Sequence, residues 1–128
     1  MAIEDWFIKE IQKPTRMLSV LISKAAGITS DTEAETIEKI QKVFKERIGV
    51  TLENLIEKED HTLIDFLIDR NLTIEQIELT ADLFSTIGQK INDQRYLNKA
   101  LGMYTYTLQN TKTYSITLND KIQYINNQ

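Results

Sequence analysis

The sequence predicts an all-α fold of six or seven helices, and three observations carry that expectation. Apolar residues recur at three- and four-residue steps through most of the chain, the period of a helix with one buried face. Proline occurs once and glycine four times in 128 residues, so the turn punctuation of an all-β chain is missing. Thr, Ser or Asp stands where several stripes begin and Gly or Asn where they end, as helix caps do.

The first stripe is Ile3, Phe7, Ile11, Leu18, Leu21 and Ala25, widened by Trp6, Ile8, Met17 and Ile22. Pro14 falls inside it and either kinks one helix or separates two, with Gly27 as the stop. Ser30 and Glu33 form a capping-box pattern that opens a helix carrying Ile37, Ile40, Phe44 and Ile48 on its buried side. Lys39, Lys42 and Lys45 face water, and Gly49 suits a left-handed C-cap. Thr51 is expected to cap a short helix with Leu52, Leu55 and Ile56. Asp60 is expected to cap the next, with Leu63, Ile64, Leu67 and Ile68, before a boundary at Asn71. Thr73 and Gln76 make another capping box, followed by Ile74, Ile77, Ala81, Phe84, Gly88 and Ile91, and Asn92-Asp93 marks a tight turn. Leu97, Ala100, Leu101, Tyr104 and Leu108 continue the pattern, and Tyr114, Leu118, Ile122 and Ile125 complete it. No low-complexity linker interrupts the chain, so residues 1–128 are expected to form a single helical domain.

Composition narrows the function classes. Hydrophobic residues at 41% and charged residues at 27% are those of a globular domain, far from a disordered chain. Without cysteine there is no disulfide, thiolate nucleophile or cysteine metal site, and a reducing cytoplasm is the simplest home. Net charge is −4, with +1 over residues 1–30, −7 over 31–78 and +2 over 93–128. Nucleic-acid binding needs clustered Lys and Arg against phosphates, so no nucleic-acid partner is expected. The opening residues carry acids where an export signal carries positive charge, and no apolar run nears the ~20 residues that span a bilayer. Asn71-Leu72-Thr73 matches a glycosylation pattern but reads as a helix boundary.

Residues for catalysis are sparse. His61 is the one histidine, with Asp65 four residues on along the same helix face; zinc needs three or four ligands and no thiols exist to complete the set. Glu57, Glu59, Asp60, Asp65 and Asp69 lack the regular ligand spacing and turn glycine of a calcium loop, and read as solvated helix surface. No nucleophile elbow or glycine-rich phosphate loop occurs. We expect no catalytic residues, cofactor or metal, and a non-enzymatic role.

Phe84, Ile87 and Gly88 set a large apolar, a second apolar and a small residue on one helix, and Ala100 and Tyr104 set small and aromatic on the next. Gly88 and Ala100 would let the two backbones approach closely. This pair resembles a tetratricopeptide repeat, a two-helix unit of about 34 residues, over residues 81–114 within a hairpin spanning about 73–112. Ile91 stands for the usual tyrosine, Thr107 for a small alanine and Lys112 for proline. One repeat is visible, so the N-terminal amphipathic helices are expected to pack across an antiparallel pair. With the Asp5-Trp6-Phe7 run, the chain is also similar to a family of small uncharacterised bacterial proteins that begin with an aromatic-rich amphipathic helix and end in such a hairpin. That resemblance implies a fold and a bacterial cytosol, and it brings no activity.

The expected function is therefore protein-protein interaction or self-association, with an unknown protein partner or a second copy. The candidate surface comprises Trp6 and Phe7 on the first helix, Asp82, Ser85, Gln89 and Asn92 on the outer face of the hairpin's first helix, and Tyr106 with Tyr114. The hairpin face carries no lysine, so a groove ligand should be neutral or basic and held by amide hydrogen bonds. The alternatives are an envelope-associated adaptor docking through the first helix, disfavoured by Glu4, Asp5 and Glu10 against an anionic surface, and a small-molecule sensor.

Overall fold

The computed structural model describes residues 13–111 and 116–127. Seven helices are found among them: α1 (Pro14–Ala26), α2 (Glu33–Ile48), α3 (Leu52–Ile56), α4 (Asp60–Asp69), α5 (Ile74–Ile91), α6 (Gln94–Asn110) and α7 (Ile116–Asn126), with no strand among the described residues. The all-α expectation holds. Ile3, Trp6, Phe7, Ile8, Ile11, Lys112 and Tyr114 lie outside the described residues.

Pro14 opens a helix and does not kink one. Lys13 is extended (φ −67°, ψ 136°) and proline takes the first helical position, where its missing N–H costs nothing. Met17, Leu18, Leu21 and Ala25 of α1 are buried.

Two expected caps are corrected. Ser30 does not start α2, because Thr29–Thr32 forms its own turn: the Thr32 N–H donates to the Thr29 carbonyl and the Thr29 N–H to Thr32 Oγ1, both 3.1 Å. The threonine hydroxyl faces backward, and α2 begins three residues after Ser30. Asp60 is the first helical residue of α4, not its cap, which is Glu59; the Asp60 carboxylate turns aside to Lys99 Nζ at 3.0 Å.

The other ends follow local chemistry. Gly49 takes φ 94°, and its N–H donates to the Lys45 carbonyl at 2.9 Å. Thr51 Oγ1 accepts from the Asn54 N–H, while Gln41 Oε1, reaching over from α2, accepts from Leu52 N–H at 3.0 Å, so donors of the α3 first turn are met from two sides. Asn71 is left-handed (φ 65°). The Thr73–Gln76 capping box is complete, and Gln76 Nε2 also donates to Thr15 Oγ1 at 3.1 Å, tying the start of α5 to that of α1.

Ile68 and Ile74, expected in the buried stripes, are 42% and 38% exposed. They flank the Asn71 turn at two helix ends, and Leu72 between them takes the buried place. The remaining stripes go inside: Ile40, Phe44, Ile48, Leu63, Leu67, Ile77, Ala81, Phe84, Leu97, Ala100 and Tyr104 belong to one cluster that also includes Leu118 and Ile125.

At the centre lie α5 and α6, joined by Asn92 and Asp93 and packed along their length, which makes them antiparallel. Asn92 is left-handed (φ 55°), and the Asp93 carboxylate accepts from the Arg95 N–H at 2.9 Å. Arg95 holds the Asp93 carboxyl below its ordinary pKa through its side-chain hydrogen bond. Phe84 and Tyr96 meet edge to face, with centroids 5.5 Å apart. Around this pair, α1 packs on α5, α7 on α6, and α3 and α4 touch α6 from the other side.

Candidate functional site

Three- and four-residue spacing brings Asp82, Ser85 and Gln89 to one side of α5. The face is less open than the sequence suggests: Ser85 is buried, Asp82 half-buried, and Gln89 exposed. Gln89 Nε2 donates to Ser85 Oγ at 2.9 Å. Across Asp82 comes α7, whose Lys121 Nζ lies 2.7 Å from Glu78 Oε2 and 3.0 Å from Asp82 Oδ1. The Tyr104 hydroxyl of α6 donates a short hydrogen bond to Asp82, and Lys121 Nζ sits 5.5 Å from the Tyr104 ring centroid. Three helices thus meet in one polar cluster.

The absence of lysine on this face is corrected accordingly. None of the α5 residues of this face is a lysine, yet Lys121 arrives from a helix 39 residues on and pairs with Asp82. Lys121 had a signal in the sequence, since it lies within the Leu118, Ile122 and Ile125 stripe where a wholly apolar face was drawn. Burial works against the charge of Lys121, but its bonds to Glu78 and Asp82 outweigh that and hold its pKa above the ordinary lysine value. The Tyr104 phenol is pushed well above its ordinary value, first by burial and then by the negative charge of Asp82 and the bond to it.

Beside the cluster runs a groove of about 480 Å³, floored by Asp82, Ser85 and Tyr104 and edged by Ile22 of α1, Gln89, and Asp120 and Tyr124 of α7. Tyr124 is 53% exposed. Asn92, expected both on this face and at the tight turn, lies at the end of the face as the left-handed C-cap of α5.

Tyr106 belongs to a different groove, of about 500 Å³, between α4 and α6. Tyr104 is core and Tyr106 half-buried, so the two tyrosines face different sides. This second groove is pinched at one point: a Cβ on Gly102 would lie 2.6 Å from Asp60 Oδ2. The obstacle is the tip of a movable, half-exposed side chain. Gly102→Ala should therefore gain about 1 kcal/mol of helix propensity and lose about as much as it swings Asp60 off Lys99. Thermal unfolding should show a Tm change below about 4 °C.

His61 is at the surface, 3.5 Å from Glu59 rather than paired with Asp65. No three His, Asp or Glu side chains stand together as metal ligands among the described residues, and none of the described helices is long and apolar enough to cross a membrane. Every buried side-chain polar atom described has a hydrogen-bond partner. Compared with protein families, curated proteins and solved structures, the chain has no significant match in any of the three.

Proposed function

We propose that the chain is a non-enzymatic interaction module, cytoplasmic and of bacterial type, whose tetratricopeptide-like hairpin takes a partner segment in the groove between α5, α6 and α7. Self-association would be the use of that groove by a second copy. The observation that carries this reading is the Asp82–Tyr104–Lys121 cluster, which fixes α7 across the hairpin and leaves a preformed groove with Gln89, Asp120 and Tyr124 at its edge. A preformed groove spends little binding energy on ordering itself. Glu78 and Asp82 share the one ammonium of Lys121 and Asp120 is exposed, so a neutral or basic segment fits and an acidic one does not.

A photo-crosslinking residue placed at Gln89 or at Tyr124, in cells making the full chain, tests this. Discrete adducts should form from both positions and not from Glu38, an exposed residue of α2. Equal labelling from all three, or none, would count against the groove. The volume also lies within the range of small-molecule sites, about 300–1,000 Å³, which favours a sensor as the second reading. A metabolite that raises Tm and blocks the Gln89 adduct would favour that reading.

A further inference from the structure

The groove between α4 and α6 has a composition of its own. Its floor is apolar, made by buried Ile64 and half-buried Leu101 and Tyr106. Two carboxylates border it, and they differ in kind. Asp60 is neutralised by Lys99, whose side chain is only 17% exposed. Asp65 is exposed and forms no ion pair among the described residues. It belongs to the segment of net charge −7, and Arg70, the nearest lysine or arginine in sequence, lies over the Phe66 ring at 4.8 Å from its centroid. An uncompensated carboxylate above an apolar floor with an aromatic ring matches one side-chain chemistry: a long apolar stem with a cationic head.

The amides fix the length of what fits. Asn98 and Gln109 both border the groove on α6, eleven residues and so about 16 Å apart, the reach of about five residues of extended chain. Both side chains are exposed and carry donors and acceptors that suit a peptide backbone. An open groove with amides toward both ends suits a continuous chain better than an isolated small cation.

We propose that the α4–α6 groove docks a short basic segment of a partner protein, with one Lys or Arg stem laid over Ile64, Leu101 and Tyr106 and its charged head at Asp65. This site is separate from the α5–α6–α7 groove, and either can fail without the other.

The test uses the full chain, isotopically labelled, and three probes followed by amide chemical shifts: acetyl-Ala-Leu-Arg-Leu-Ala-amide, its glutamate counterpart, and butylguanidine. The arginine peptide should shift amides around Asp65, Leu101 and Tyr106, and its affinity should fall by about threefold to fivefold in Asp65→Asn and at raised salt. Tyr106→Ala should weaken it as well. Asp65 is exposed, so an unchanged Asp65→Asn spectrum elsewhere verifies that the fold is intact. The proposal is overturned if the glutamate peptide binds as well, if Asp65→Asn binds the arginine peptide unchanged, or if butylguanidine alone matches the peptide, which would make this a small-cation site. A dimer dissociated by Asp65→Asn in light scattering would equally overturn it, the occupant then being a second copy.

Discussion

Gly88→Leu should cost about 3 kcal/mol and lower the Tm by roughly 10–15 °C. An ideal Cβ at residue 88 would sit 2.9 Å from Leu97 Cγ and 3.0 Å from both Leu97 Cδ2 and Tyr96 Cβ. Tyr96 Cβ and Leu97 Cγ are near the backbone of α6 and cannot swing away as the Asp60 carboxylate can beside Gly102. Tyr96 is further held by its edge contact with Phe84 and by its hydroxyl, 3.3 Å from Glu53. Relief therefore requires α5 and α6 to separate at the point of closest approach, which loosens packing around Phe84, Leu97 and Ala100. Leucine's better helix propensity returns less than 1 kcal/mol, so overpacking wins. Thermal unfolding followed by far-ultraviolet circular dichroism measures the difference; a Tm within about 3 °C of the parent would contradict a close-packed pair.

That glycine was visible in the sequence for the same reason most helix ends were. Gly88 follows Phe84 at a helical step, and Thr73 with Gln76, Gly49 and Asn92 each act on atoms within four residues of themselves. Chemistry confined to one turn can be read from neighbours. Ser30 and Asp60 fail as caps because their segments are settled by other contacts: a Thr29–Thr32 turn displaces the first, and Lys99, 39 residues on, engages the second. Gln41 satisfying α3 is likewise invisible to a local pattern. The same divide runs through the candidate site. The spacing of Asp82, Ser85 and Gln89 gives their common face, whereas Lys121 covering that face depends on where α7 packs, which periodicity does not determine. Tyr106 was legible as the more exposed of its pair, but its groove needs α4 to come alongside α6.

Raising the pH from 10 to 12 should remove about 5 kcal/mol of stability and unfold the chain cooperatively. Two buried phenols carry most of this. Burial, aided by the charge of Glu53, holds Tyr96 above its ordinary pKa, and burial with the charge and hydrogen bond of Asp82 does the same to Tyr104. A group whose folded pKa is raised contributes stability that is fully present below its unfolded pKa and is lost as pH climbs above it. For a phenol that window opens near pH 10, and each one that stays protonated while its unfolded counterpart ionises costs about 3 kcal/mol by pH 12. Lys121, also raised, acts with the same sign in the same window, since its pairs with Glu78 and Asp82 vanish once it deprotonates. Total domain stability is about 5–15 kcal/mol, so the loss is large enough to bring on unfolding. The part of the phenolate absorbance that comes from Tyr96 and Tyr104 should then change together with helix content, at one midpoint. Tyr104→Phe discriminates further: it leaves Asp82 short of one donor, costing about 1–2 kcal/mol at neutral pH, yet it should make the alkaline decline shallower by about half. Phenolate formation completed while helix content is unchanged would mean that the cluster beneath the α5–α6–α7 groove opens to solvent without unfolding, and the preformed groove would lose its basis.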